Sequence, residues 1–254
     1  MSISKENKIG RLLLEQPNWE LFFSEWLRKK GYSVQLIQKY VQNGWLCSLC
    51  RGVFYRANKQ VLDAYGAIAS YYAQVGNDIH IAAHSALEIY GYMHYVPMGK
   101  PQMMVAVDSK YIPMWLQKDM FDRQLVPFRS EALPIEQHVF NYQGQTLPVS
   151  TPERAFMECL LLAPKYYNYL DLYMLMEQLT GLRPMVVQQL LEQVTSYRVK
   201  RMFIYMAEKA NHAWWEDVDI SHIDMGSSKI YYNPTGKYIS KYKITIPAEL
   251  YDYE

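Results

Sequence analysis

The sequence has no long apolar run, few cysteines and no secretion signal. No uninterrupted apolar stretch approaches the roughly 18 residues that a membrane-spanning helix needs. The N-terminus is polar and lacks the apolar core of a signal peptide. Three cysteines, an odd number, do not suit an extracellular disulfide framework. We therefore expect a cytoplasmic protein that has no membrane partner.

The chain also lacks the motifs that usually mark an enzyme or a bound cofactor. It has no glycine-rich phosphate loop, no nucleophile elbow and no HExxH pair, and its Ser, His and Asp spacings do not suggest a catalytic triad. We therefore expect no catalytic residue, no cofactor and no metal. With 50% apolar and 20% charged residues, the composition excludes a wholly disordered chain.

The charges that are present divide unevenly along the chain. Residues 1–60 contain 10 Lys/Arg and 4 Asp/Glu, a balance of +6, whereas the remainder contains 16 and 21, a balance of −5. A basic segment on a mildly acidic body is expected where one module meets phosphate and the other does not. This asymmetry directs the search for a binding site to the N-terminal segment.

Within that segment, two short helices are predicted on either side of a tight turn. Ser24 as an N-cap predicts a helix over 25–30, which Gly31 ends. Ser33 as the next N-cap predicts a second helix over 34–43. A helix, a glycine-containing turn and a helix are the sequence form of a helix–turn–helix.

A hairpin is predicted directly after the second helix. Beyond Gly44 the apolar period changes from about 3.6 to 2 residues, which indicates strands over 45–48 and 53–56 joined by a turn over 49–52. A hairpin in this position is a wing. The pattern therefore predicts a winged helix–turn–helix over 24–56.

The second helix has two chemically distinct sides when its residues are placed about 100° apart. Its apolar arc consists of Val34, Leu36, Ile37, Tyr40 and Val41. Its polar arc consists of Gln35, Gln38, Lys39 and Gln42. Glutamine can make two hydrogen bonds to adenine, and lysine can reach guanine or phosphate, while the absence of a carboxylate avoids repulsion by the DNA backbone. The alternative is an ordinary solvated helix surface.

We predict that this helix and the hairpin bind DNA. The predicted DNA-binding residues are Ser33, Gln35, Gln38, Lys39, Gln42, Asn43, Arg51 and Arg56. Arg51 at the hairpin tip could enter a minor groove or hold a phosphate, and Arg56 would support the wing. The basic residues 28–30 could contact the DNA backbone, or simply complement the negative end of their own helix.

Beyond the hairpin, helical and alternating patterns predict an α+β fold. The predicted helices cover 60–75, 85–90, 152–163, 168–179, 184–195 and 199–210. The predicted strands cover 78–82, 103–107, 125–128, 138–142, 145–149, 229–233 and 238–246. Residues 99–101, Gly-Lys-Pro, suit a domain boundary. We therefore predict an N-terminal winged helix–turn–helix domain with extra helices over 1–98 and a larger mixed α/β C-terminal domain over 99–254.

Three other clusters have both a structural and a functional interpretation. Zinc could be bound by Cys47, Cys50, His80 and His84, but 29 residues separate the two pairs, against about 12–15 in a typical zinc finger. Residues 150–153 predict a capped helix start, either a capping box of Ser150 and Glu153 or a cap at Thr151 with Pro152 as the first helical residue. Arg154, the next residue, could form an internal ion pair. A second basic surface, or merely a solvated face, could consist of Lys200, Arg201, Lys229, Lys237, Lys241 and Lys243.

Seven segments, in order along nearly the whole chain, carry a resemblance to a known family. They are GYSVQLIQKYVQNGWL (31–46), RGVFYR (51–56), SALEIYG (85–91), VSTPERAFME (149–158), VKRMFIYMAE (199–208), IDMG (223–226) and KYKITIP (241–247). In this series the chain resembles the AbiEi-type antitoxins of bacterial type IV toxin–antitoxin systems. It departs from the family in the wing, where Cys47 and Cys50 replace ordinary polar or apolar residues.

The resemblance implies a non-enzymatic repressor that is also an antitoxin. Its N-terminal domain would bind double-stranded DNA at inverted repeats in its own promoter. Its C-terminal domain would counter a nucleotidyltransferase-like toxin without a stable complex between the two proteins.

Two alternatives stay open. In the first, the chain is a ligand-sensing transcriptional regulator whose C-terminal domain binds a metabolite, which a deep polar pocket around Arg154 and His138 would favour. In the second, it is a protein-interaction scaffold, which would be favoured if the N-terminal domain ignored DNA at low salt.

Overall fold

The structure, a computed structural model, describes residues 6–16, 18–92 and 99–253. The helices α1 to α10 are Glu6–Glu15, Ser24–Lys29, Val34–Gln42, Ala64–Gln74, Ala83–Ile89, Pro152–Leu162, Tyr169–Gln178, Pro184–Gln193, Tyr197–Ala210 and Ala248–Asp252. The strands β1 to β11 are Leu21–Phe23, Leu46–Cys50, Val53–Arg56, Ile79–Ile81, Gln102–Val107, Gln124–Arg129, Gln137–Tyr142, Gln145–Ser150, Ile230–Tyr231, Lys237–Ile239 and Ile244–Ile246. This mixture confirms the predicted α+β class. None of the helices in the described residues has the length and apolarity of a membrane span.

The chain forms two compact units that alternate along the sequence. Described residues up to 81, 99–129 and 137–149 belong to the first unit. Residues 82–92, 130–136 and 150–253 belong to the second. The segments of the two units interleave because β4 pairs with β5 and β8, which come much later in the chain. Strand pairing over such distances leaves no local mark in a sequence.

A five-stranded sheet in the first unit has the order β6-β5-β4-β8-β7. β5 runs antiparallel to β4 and parallel to β6, and it is buried from Met103 to Val107. β7 and β8 form a hairpin over Gln143 and Gly144, which both have positive φ, as a two-residue turn of this kind requires. α4 packs beside the sheet, and the side chain of Asp63 caps it by accepting a hydrogen bond from the Tyr65 backbone N at 3.0 Å.

The N-terminal part of the first unit is a small three-stranded sheet packed against α1 to α3. Its strand order is β1-β3-β2, so β3 is central and antiparallel to both neighbours. β1 was not predicted, because a run of three apolar residues carries no readable period. The core between the sheet and the helices consists of Ile9, Leu12, Phe22, Leu27, Tyr32, Ile37, Tyr40 and Leu46.

The second unit is built around α6 and α9, and a buried ion pair lies on α6. Arg154 Nε lies 2.9 Å from Glu158 Oε1, and both side chains are 0% exposed, which confirms the predicted internal ion pair. The Glu158 carboxylate also accepts hydrogen bonds from the Ala83 backbone N and from Ser150 Oγ, both at 2.9 Å. These bonds join the start of α5 and the end of β8 to α6.

Two local predictions about helix starts need correction. Ser24 is the first residue of α2, and Phe23 occupies the N-cap position without a side-chain cap. Thr151 is the N-cap of α6 and Pro152 is its first residue, which is one of the two predicted starts, but the Thr151 side chain makes no cap hydrogen bond. In the other predicted start, Glu153 was to complete a capping box with Ser150. Its carboxylate instead accepts hydrogen bonds from the backbone N and Nε of Arg183, at 2.9 and 3.0 Å.

The second basic surface also needs correction, because two of its members lie in the interior of the second unit. Lys200 and Arg201 on α9 are 3% and 1% exposed. Arg201 donates hydrogen bonds from Nε to the carbonyl oxygen of Met225 at 2.5 Å and from Nη1 to that of Ser228 at 2.6 Å. Only the lysines that follow residue 228 remain on the surface.

We expect Glu158→Leu to lower the free energy of unfolding by about 3–5 kcal/mol, because it leaves the Arg154 charge buried without its partner. Urea titration followed by circular dichroism measures this change. The double variant Arg154→Met, Glu158→Leu should recover much of the loss, since neither charge of this pair is then left buried without the other. An unchanged urea midpoint for the single variant would contradict this account.

Candidate nucleic-acid interface

The turn between α2 and α3 is fixed by hydrogen bonds at the end of α2. Gly31 has a φ of +83°, and its backbone N donates to the Arg28 carbonyl at 2.9 Å. The Tyr32 backbone N donates to the Leu27 carbonyl at 2.9 Å. This pair of bonds is a Schellman motif, with an apolar contact between its first and last residues. It reverses the chain over a few residues and delivers it to α3.

The end of α3 repeats the same motif and directs the chain into the wing. Gly44 has a φ of +69°, and its backbone N donates to the Val41 carbonyl at 3.1 Å. The Trp45 backbone N donates to the Tyr40 carbonyl at 2.9 Å, and the two aromatic rings lie 5.6 Å apart. The direction of β2 is therefore tied to the position of α3.

The rotation of α3 about its axis is set by two side chains in the N-terminal core. Ile37 and Tyr40 are 4% and 2% exposed, whereas Leu36 and Val41 are half-buried. Val34 was predicted on the apolar arc but is 51% exposed, since it lies in the first turn, at the edge of the packed region. Apart from Val34, the predicted apolar side of the helix is the side that packs.

The polar side of α3 faces solvent. The predicted residues Gln35, Gln38, Lys39, Gln42 and Asn43 are all exposed. Within the described part of the chain, these five side chains make no hydrogen bond to other residues. The structure therefore brings them together on one helix surface, with their donors and acceptors available to a partner.

Ser33 is the N-cap of α3, at the start of this surface. Its Oγ accepts a hydrogen bond from the Leu36 backbone N at 3.2 Å, as expected for an N-cap. The residue is exposed, but its hydroxyl is already used to begin α3. A donor role toward a phosphate is compatible with this geometry, because the bond to Leu36 uses only a lone pair.

The tip of the hairpin is shorter than predicted and is attached to α2. The pairing of β2 and β3 shifts between Ser48 and Cys50, so β2 extends to Cys50 and the turn is only Arg51 and Gly52. The backbone N of Ser24 donates to the Gly52 carbonyl at 2.8 Å. Gly52 has a φ of +79°, and a Cβ there would lie 2.9 Å from Ser24 Oγ, so glycine suits this position on two grounds. Arg51 is held exposed at the tip.

Arg56 is the one predicted residue that the structure places away from the surface formed by α3 and the tip. Its guanidinium donates hydrogen bonds to the carbonyl oxygens of Leu13, at 3.1 Å, and Gln16. It also lies 5.6 Å from the centre of the Phe22 ring. Burial lowers its pKa from the usual value. Arg56 therefore satisfies carbonyls at the end of α1 and holds that helix against β3.

The basic residues at the end of α2 are exposed, but two of the three already have local partners. Lys29 pairs with Glu25 at 3.0 Å, and Lys30 Nζ lies 5.6 Å from the Trp26 ring centre. Arg28 is exposed beside them. Their position also fits the negative end of a helix, so both interpretations of this group remain predictions.

The two wing cysteines are free thiols packed into the hairpin. Cys47 contacts the Tyr55 hydroxyl, and burial raises the pKa of the Cys50 thiol. His80 and His84 have other neighbours, Gln137 at 2.8 Å and Tyr167 at 2.6 Å. Across residues 6–16, 18–92 and 99–253, no group of three or more His, Cys, Asp or Glu is placed to hold a metal ion.

Arg154 and His138, around which a ligand-sensor pocket was expected, differ in exposure. The Arg154 side chain is fully enclosed within the second unit, and His138 is exposed on β7. A cleft of about 350 Å³ in the first unit is lined by Glu20, Lys59, Val61, Leu62, Asp63, Asp122, Tyr142 and Gln143. It contains neither predicted residue, and its acidic lining does not suit an anionic metabolite.

The sequence did not predict two features of the site. One is β1, whose pairing makes β3 the central strand. The other is the bond between Ser24 and Gly52, which attaches the tip to α2. The glycine after Arg51 was a signal for the turn, but nothing local indicated its neighbour.

Comparisons with known proteins agree with this architecture. A structure of the RV2827C protein from Mycobacterium tuberculosis matches over 94% of this chain and 89% of that chain, with a TM-score of 0.58 and 14% identity, which shows a shared fold. No curated protein sequence matches the chain.

Family models match both halves of the chain. One, described as "Transcriptional regulator, AbiEi antitoxin N-terminal domain", matches residues 5–98. Another, described as "Transcriptional regulator, AbiEi antitoxin, Type IV TA system", matches residues 100–247. Since together they cover most of its length, the chain belongs to the AbiEi antitoxin family of transcriptional regulators of type IV toxin–antitoxin systems.

Proposed function

We propose that this protein represses its own operon by binding double-stranded DNA through α3 and the hairpin tip. The observations that carry the proposal are the exposed polar side of α3, which has amides and one lysine but no carboxylate, and the exposed Arg51 at the hairpin tip. The major groove is about 12 Å wide and admits one α-helix. In that groove, Gln35, Gln38 and Gln42 would make paired hydrogen bonds to adenines.

The electrostatics of the surface support the same proposal. Lys39 and Arg51 would contact phosphate or a groove edge, and Ser33 and Asn43 at the two ends of α3 would contact the backbone. We leave Arg56 out of the contacting set, because its guanidinium is engaged with carbonyl oxygens at the end of α1. Two copies would occupy the halves of an inverted repeat, since matched half-sites are the usual partner of two protein copies.

The antitoxin part of the proposal rests on the family. We assign DNA binding to residues 1–98 and neutralisation of a nucleotidyltransferase-like toxin to residues 99–254, without a stable complex. The protein would act without catalysis, cofactor or metal, in the cytoplasm.

We expect the double variant Gln38→Ala, Arg51→Ala to bind its own upstream DNA at least tenfold more weakly, because a paired contact to a base is worth about 1–3 kcal/mol and a charged contact adds to it. A gel shift at fixed salt measures this. The matched control Gln193→Ala, Arg129→Ala removes an exposed glutamine and an exposed arginine elsewhere. If the test variant bound like the control, the assignment of the site would be lost.

Arg56→Met should lower stability and leave DNA affinity nearly unchanged. We expect it to lower the free energy of unfolding by about 1–3 kcal/mol, because two carbonyls lose their donor. DNA affinity of the folded fraction should stay within about twofold of the native value, as no DNA contact is lost. Urea titration and the same gel shift measure the two quantities. A tenfold loss of affinity with unchanged stability would return Arg56 to the contacting set.

DNA binding and toxin neutralisation should separate genetically. We expect a nucleotidyltransferase-like reading frame beside this gene, and co-expression of the native chain should restore growth of cells that make that toxin. The Gln38→Ala, Arg51→Ala variant, expressed from a foreign promoter, should restore growth equally well. Loss of rescue at equal protein level would show that the two functions share residues.

A further inference from the structure

The small sheet near the end of the chain has two faces of opposite character. β11 is its central strand, antiparallel to β10 and parallel to β9. One face carries isoleucines, and those at positions 244 and 246 are 0% exposed. This face belongs to the core of the second unit. The other face has a different composition, and the proposed repressor function makes no use of it.

That other face presents two tyrosines in one row across the sheet. Tyr238 and Tyr231 are both register partners of Thr245, so the three side chains project from the same face. Tyr231 is 56% exposed and Tyr238 is 48% exposed, whereas Thr245 between them is buried. Lys229 Nζ lies 5.2 Å from the centre of the Tyr238 ring. We call Lys229, Tyr231, Tyr238 and Thr245 the tyrosine face.

The charge around the tyrosine face has one sign. Residues 225–247 contain four lysines and no aspartate or glutamate. All four are exposed, at positions 229, 237, 241 and 243, and among the described residues only the lysine at 241 pairs with a carboxylate, that of Glu208. Arg198 Nη1 donates to the Tyr231 carbonyl at 3.1 Å and so supports the end of β9. The surroundings of the tyrosine face are therefore cationic, and the strand that carries Tyr231 is held by a hydrogen bond from Arg198.

We propose that the tyrosine face binds single-stranded RNA. Exposed aromatic rings on a sheet are the platform on which unpaired bases stack, and the surrounding lysines would follow the phosphates. The bases of duplex DNA are already stacked inside the helix and cannot stack on these rings. The tyrosine face would therefore bind a different nucleic acid from the duplex DNA that we propose for α3. The cationic rim also disfavours an apolar protein partner, which would have to desolvate the lysines.

The test uses the full chain and a fluorescently labelled 12-nucleotide single-stranded RNA of mixed sequence, followed by fluorescence anisotropy. Tyr231→Leu with Tyr238→Leu should weaken binding at least tenfold, because two bases lose their stacking partners. Tyr231→Phe with Tyr238→Phe should stay within threefold of the native chain, because the rings remain. A circular dichroism spectrum and a urea midpoint equal to those of the native chain show that the leucine variant is folded.

A matched control comes from another exposed pair of the same type. Lys110 Nζ lies 5.6 Å from the ring centre of Tyr111, which is 74% exposed. Lys110→Gln with Tyr111→Leu should leave RNA binding unchanged. Lys229→Gln with Lys243→Gln should flatten the slope of log affinity against log salt by about 1.4, at about 0.7 for each single-strand phosphate contact.

Three results would overturn the proposal. The first is no binding of the RNA at low salt. The second is a loss of RNA affinity in the control variant as large as that in the leucine variant. The third is that a single-stranded DNA oligonucleotide of the same sequence binds as tightly as the RNA. The outcome is independent of the repressor proposal, because the tested variants leave α3 and the hairpin tip unchanged.

Discussion

The burial of Ile37 and Tyr40 is the constraint on which the candidate DNA surface depends. These two side chains fix the rotation of α3, and the polar residues between them must then face solvent. The Tyr40 carbonyl also accepts a hydrogen bond in the motif that ends α3, and its ring packs against Trp45. The same residue therefore helps to set the direction of the wing. A helix of nine residues with loose packing would not hold its amides in one direction.

The wing is also attached to α2 through its tip. The bond from Ser24 to Gly52 ties the hairpin tip to the start of α2, and α2 is joined to α3 by its own hydrogen-bonded turn. Arg51 is therefore positioned by the same core that positions α3. Preorganisation of this kind lowers the entropic cost of binding, because few side chains and no backbone segment need to be ordered.

Arginines in this protein divide into those that face solvent and those that hold the fold together. Arg56, Arg154 and Arg201 have their guanidiniums engaged with carbonyl or carboxylate oxygens of their own unit. A buried guanidinium needs such acceptors, because leaving its charge unpaired costs several kcal/mol. The surface charge that is available to nucleic acid is therefore smaller than the composition suggests, and it includes Lys39 on α3, Arg51 at the hairpin tip and the lysines after residue 228.

The sequence by itself determined the features that depend on neighbours within about four residues. The N-cap at Ser33, the glycines that end α2 and α3, the wing strands and the polar side of α3 all follow from local hydrogen bonding and periodicity. The tertiary structure alone decided the pairing of Ile81 with Val149, the inward turn of Arg56 and the row formed by Tyr231 and Tyr238. These features join residues that are distant in the chain, and a sequence pattern carries no record of which distant partner a strand or a charge will meet.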